Sequence, residues 1–150
     1  MELEILNSLK IRYRIYLLSH ILVMAAVVMF FKFIPDVKTA ALCAAVLFLS
    51  GPILILLNER RCKALFKSFS TYGALAFLVC SSLPIFFLRV LNWNARFDEL
   101  SLPAFMGGFT GPQLHNVANY FFEAMLFSFL ADAVWTTVKR YREKQKSDAV

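Results

Sequence analysis

Glu123 and Asp132 are carboxylic acids inside an otherwise apolar stretch, Val117 to Val138. A carboxylate in hydrocarbon costs about 2.5–3.5 kcal/mol on insertion scales, so each must face protein, water or a counter-charge. Acids held this way can carry protons or line an ion path across a membrane. His20, within another apolar stretch, can handle protons near neutral pH. Arg89 and Lys32 are the cations placed to neutralise an acid at depth. His20, Arg89, Lys32, Glu123 and Asp132 are thus the buried polar candidates.

The elements that must hold these residues follow from composition. Of 150 residues, 59% are hydrophobic and only 17% are charged, with 16 Phe. That balance belongs to membrane proteins rather than soluble domains. Residues 15–31, 39–58 and 68–88 contain no Asp, Glu, Lys or Arg. A bilayer core of about 30 Å needs roughly 20 helical residues, so each run is close to one span. With the acid-bearing stretch they predict spans at about 15–34, 39–57, 71–91 and 117–138, a single all-α domain built as an antiparallel four-helix transmembrane bundle. The first run is read as a retained span, because Glu2 and Glu4 make its start acidic and Phe30-Phe31-Lys32-Phe33 stands where a signal peptide would be cut. Cys43, Cys62 and Cys80 are odd in number and lack CxxC spacing, which points to neither a disulfide framework nor a zinc site.

Helical rise converts sequence into depth. Taking Arg14, Asn58, Thr71 and Lys139 as inner edges, His20 and Asp132 lie about 9–10 Å in, level with Ser50-Gly51-Pro52 of the second span. Pro52 removes an i→i−4 bond and frees the Phe48 carbonyl; Pro84, after Ser81-Ser82, frees that of Cys80. An inner layer of His20, Asp132 and the span-two break is expected. Arg89 and Lys32 fall about 27 Å in and Glu123 about 24 Å in. A Glu123–Arg89 pair is therefore the first choice, with Lys32 as the other cation. Nine residues separate the two acids, about 900° of helix, so they face opposite sides. Asn116, Asn119 and Glu123 form one polar stripe; Ser128, Asp132, Thr136 and Lys139 form the other. Two stripes suit a helix wedged between its own bundle and a second copy, which predicts a homo-oligomer.

Basic residues set the topology. Lys10, Arg12 and Arg14 precede the first span, Arg60, Arg61, Lys63 and Lys67 separate the second and third, and Lys139, Arg140, Arg142, Lys144 and Lys146 follow the fourth. Only Lys32, Lys38, Arg89 and Arg96 lie on the other side. The positive-inside rule then places both termini in the cytoplasm, with 139–150 as a basic tail. The net charge of +6 is accordingly a topology signal, and no direct nucleic-acid contact is expected. The outer loop, 92–116, mixes Trp93, Phe97, Leu100, Leu102, Phe105, Met106 and Phe109 with a turn-rich Gly107–Pro112 stretch. It reads either as an interfacial cap on the bundle or as a re-entrant loop.

HExxH, GxSxG, DDxxD and CxxC are all missing, as is a clustered metal-ligand set, so neither an enzyme nor a cofactor is expected. Two readings stand. One is a small homo-oligomeric proton-coupled transporter or channel using the buried carboxylates. The favoured one is a non-enzymatic oligomeric subunit (scaffold, sensor or anchor) in the lipid bilayer, whose Arg60, Arg61, Lys63, Lys139, Arg140 and Arg142 recruit a cytosolic protein partner. In length, four spans, cytoplasmic termini and basic inner loops, the chain resembles the membrane subunits (KwaA) of the Kiwa bacterial anti-phage system. The resemblance implies a homo-oligomer that senses membrane disturbance and holds a cytosolic DNA-binding partner.

Overall fold

A computed structural model describes residues 2–62, 64–92 and 99–147, with side chains from Arg12 onward. Lys63, Trp93, Arg96 and Phe97 lie outside the described residues. Among the described residues five α-helices follow one another: α1 (Glu2–Phe33), α2 (Val37–Arg61), α3 (Phe69–Phe77), α4 (Leu83–Leu91) and α5 (Gly111–Ser147). A π-helical turn, Leu78–Ser82, joins α3 to α4, so Phe69–Leu91 runs as one span. Arg12–Phe33, Val37–Arg61, Phe69–Leu91 and Gly111–Ser147 are each long and apolar enough to cross a membrane. The chain is an all-helical, multi-pass membrane protein.

Local chemistry explains where the helices begin. Asp36, in extended conformation after Pro35, accepts from the Lys38 and Thr39 amides and so caps α2. Ser68 caps α3 by accepting from Thr71 N. At α5 the Thr110 hydroxyl accepts from Gln113 N at 3.4 Å while the Gln113 side chain accepts from Thr110 N at 3.0 Å. This capping box, followed by Pro112 in the first turn, starts the helix at Gly111. The span therefore begins six residues before Val117, and the loop expected over 92–116 is shorter by that much. α2 likewise continues past residue 57, carrying Arg60 and Arg61 in its last turn instead of in a loop. α5 runs to Ser147, so most of the 139–150 tail is helix.

The two proline breaks meet. Ser82 donates its hydroxyl to the Phe48 carbonyl at 3.1 Å, the group that Pro52 leaves without an intrahelical donor. The π turn ahead of Pro84, closed by Leu83 N bonding the Leu78 carbonyl, widens the helix just where its ladder is interrupted.

Helix association in lipid rests on close packing rather than on a hydrophobic drive, which favours small residues at contacts. α2 buries Ala40, Ala41, Ala44 and Ala45. Gly73 of α3 lies so close to α5 that a Cβ there would come within 2.2 Å of Ser128 Oγ and 3.1 Å of the Met125 Cα. Around it Tyr16, Ile55, Ala74, Phe77, Met125 and Phe129 form the main core. A second cluster joins Leu88 and Leu114 to Leu100 and Leu102, so the described portion of the long loop packs onto the bundle as a cap. Its hairpin closes through Leu102 N bonding Phe109 O at 2.9 Å, with Gly107 and Gly108 at φ 96° and 63°, where only glycine sits without strain.

Candidate functional site

Asp132 is buried, 4% exposed, and its partner is a helix terminus rather than a cation. Oδ1 accepts from Phe69 N at 2.9 Å and Oδ2 from Ser70 N at 2.7 Å. The Ser70 hydroxyl donates to Oδ2 as well. Those amides open α3, so a carboxylate of α5 satisfies orphan donors and faces the positive end of the helix dipole. No cation is needed at its depth, because the counter-charge is carried by backbone.

A second acid, Glu59, joins it. It is fully buried at the end of α2. Oε1 accepts from the Tyr16 hydroxyl at 2.6 Å and Oε2 from the Ser68 hydroxyl at 2.7 Å. Asn58 Nδ2 donates to Tyr16 Oη at 2.8 Å. With its own proton committed to Glu59, Ser68 Oγ can only accept from the Thr71 hydroxyl, 2.9 Å away. Arg12 Nε stands 3.5 Å from Oε1. Two hydroxyls thus donate directly to one carboxylate, and a guanidinium stands at ion-pair distance beside it. Arg12, Tyr16, Glu59, Ser68, Ser70 and Asp132 together tie α1, α2, α3 and α5 into one polar layer. Sequence reasoning missed Glu59 by treating the Asn58–Lys67 stretch as a basic loop. Its signal was an acid directly after an apolar run, followed within a dozen residues by the capping-type cluster Ser68, Ser70, Thr71.

The other expected residues are distributed differently. His20 is buried, 5% exposed, and its Nδ1 donates to the Tyr16 carbonyl at 2.7 Å on its own helix. Its ring packs on Phe122 and Phe129. It therefore sits among aromatics one turn from the Glu59 network, and the expected layer of His20 with Asp132 is replaced by Glu59 with Asp132. Glu123 and Lys32, expected in the interior, are exposed. Asp132 fixes the rotation of α5, and half a turn of phase then aims Glu123 away from the bundle. Lys32 lies over the Phe33 ring at 5.5 Å. Among the described residues Glu123 makes no ion pair with Arg89 or Lys32.

Arg89 instead lines a cavity of about 470 Å³ between all four spans, at the end of the bundle next to the α1–α2 turn. Phe77 and Phe122, stacked edge-on 5.8 Å apart, close its floor. Its walls are Met24 and Phe31 of α1, the small residues Ala41, Ala44 and Ala45 of α2, and Ala118 of α5. Among the described residues, polar side chains enter only through Arg89, His115 and Asn119. The volume falls within the range of small-molecule and lipid pockets.

At the other end Arg60, Arg61 and Lys67 are exposed beside the polar layer, and Lys139, Arg142, Lys144 and Lys146 are exposed along the last turns of α5. Arg140 is half-buried. Lys139 and Glu143 approach to 3.9 Å, an exposed pair contributing little. No group of three or more potential metal ligands occurs among the described residues. No known protein family, curated protein or solved structure matches this chain, so its function is argued from these sites alone.

Proposed function

We propose that the chain is a non-enzymatic membrane subunit, a homo-oligomeric scaffold or anchor that recruits a cytosolic protein through its basic end. The observation that supports this most is the use made of its interior acids. Asp132 and Glu59 each accept hydrogen bonds from other segments and so fix helices to one another, which suits a rigid platform better than a proton carrier that must exchange partners. Directly beside that locked layer stand Arg60 and Arg61, with Lys139 and Arg142 about two to three turns further along α5. By the positive-inside rule this end, with both termini, is cytoplasmic. The bundle is then antiparallel, and the projecting end of α5 presents cations to an acidic partner. A role as a sensor in bacterial phage defence extends the same reading.

The test uses the full chain extracted in native lipid particles. Charge reversal at Arg60, Arg61, Arg140 and Arg142 is expected to remove stoichiometric co-purifying protein while leaving assembly unchanged. Partners retained in full by the reversed variant would overturn recruitment through this face. The transporter reading makes a separate forecast: Asp132→Asn abolishes proton-coupled flux in proteoliposomes.

A further inference from the structure

We infer that the cavity lined by Arg89 is a binding site for an anionic glycerophospholipid, one acyl chain filling the apolar region and the phosphate meeting the guanidinium. Three observations carry this. First, the lining is amphiphilic along one axis. From the aromatic floor upward the walls are Phe48, Ala44, Ala45 and Ile85, with Asn119 about one turn above Phe122, and at the far end Arg89 and His115 add polar atoms. A wholly polar ligand would leave the floor unmatched, and a plain hydrocarbon would leave the polar end of the cavity unmatched.

Second, the cavity opens sideways. Its α2 and α4 residues, Ala41, Ala45 and Leu88, are buried, whereas Met24 and Phe31 of α1 are 43% and 49% exposed. His115 and Asn119 of α5 are exposed too. The portal therefore lies between α1 and α5. Both flank it with faces that sit in lipid, so the ligand arrives from the bilayer. The loop residues Leu100 and Leu102, packed on Leu88 and Leu114, roof the opposite side.

Third, the sign of charge selects the ligand. A chain moving from bilayer to an apolar cavity changes solvent little, since lipid tails are as apolar as Leu. Preference must then come from the headgroup. A guanidinium carries five N–H donors in a fork that fits phosphate, so it can hold one while keeping another partner. A zwitterionic headgroup brings its own cation toward Arg89 and is disfavoured.

The experiment reconstitutes the full chain in nanodiscs of equimolar phosphatidylglycerol and phosphatidylcholine, each in turn bearing a diazirine acyl chain. After irradiation, labelled peptides are mapped by mass spectrometry. Phosphatidylglycerol is expected to label cavity residues such as Met24, Ala41 and Phe48 above the outward residues Leu18 and Leu22. Arg89→Gln lowers that cavity labelling about tenfold, the factor of one charge-assisted bond, with phosphatidylcholine labelling unchanged. Ala44→Phe, which fills the volume, removes both. Equal cavity labelling by the two lipids in the native chain, or labelling confined to the outward faces, would overturn the assignment without needing any variant to fold. The recruitment reading above is untouched by either result.

Discussion

At the scale of single residues, the two buried acids are distinguishable by what they leave behind when removed. Asp132→Ala strands the Phe69 and Ser70 amides at the start of α3, at about 1–3 kcal/mol for each buried unsatisfied donor. Glu59→Ala leaves Arg12 without its counter-charge and the Tyr16 and Ser68 hydroxyls without an acceptor, which costs about 3–5 kcal/mol. Comparable losses of thermal stability are therefore expected for Asp132→Ala and Glu59→Ala, with a smaller one for Glu59→Gln because its amide oxygen still accepts from Tyr16. Thermal unfolding in one mild detergent compares the three; a Glu59→Ala chain melting with the native one would refute the network. Asp132 was legible from sequence as an acid in need of a partner, and its opposition to Glu123 followed from helical phase. The partner itself was not, because a backbone terminus carries no residue type to search for. Glu59 escaped for a related reason: its burial depends on Tyr16, 43 positions away, and local composition cannot show that.

Elements were read well where apolar runs set them and less well at their ends. Thr110-Gly111-Pro112-Gln113 carries a capping box in plain sequence, yet apolar length alone put the start of α5 at Val117. The Pro52 break was legible, whereas the Ser82 hydroxyl that repairs it was found only through the packing of α2 on the third span. Two glycines test the packing argument. Gly73→Ala forces a Cβ against Ser128 and Met125 and is expected to cost about 1–3 kcal/mol, more than the roughly 1 kcal/mol gained from helix propensity. Gly51 has nothing within 4 Å, so Gly51→Ala should stabilise. Differential scanning of both variants decides, and a stabilised Gly73→Ala would contradict the close α3–α5 contact. The cap of α2 gives a pH dependence. The Asp36 carboxyl is held below its ordinary value of 3.8, first by the Thr39 hydroxyl and then by the Thr39 amide. A depressed folded-state pKa means that the contribution is present above the ordinary value and is lost as pH falls through the lower, folded one. The difference in melting temperature between native and Asp36→Ala chains should thus close on acidification below about pH 4 and stay open at neutral pH. A gap that persists in acid would argue against capping by the ionised group.

For the whole molecule, the exposed face of α5 is what a single chain leaves unfinished. Ser128, Asp132 and Thr136 turn inward; Asn116, Tyr120, Glu123 and Phe127 turn out. An acid on that face in hydrocarbon is covered most simply by a second copy, so a Glu123→Cys chain is expected to form disulfide-linked dimers on oxidation in the membrane. A chain that stays monomeric there, while a cysteine at Leu22 crosslinks, would move the interface to α1. α5 spans about 55 Å, well beyond a bilayer core of about 30 Å. It is unbroken from Gly111 to Ser147 and pinned at Asp132, about 32 Å from one end and about 22 Å from the other. Mechanically that is a beam on a fulcrum. A sideways push of about 3 Å beside His115 and Asn119, where the cavity opens, would arrive at the basic tip as a swing of about 3 Å in the opposite sense. A molecule entering between α1 and α5 would thereby be expected to shift the basic tip, with no helix having to bend.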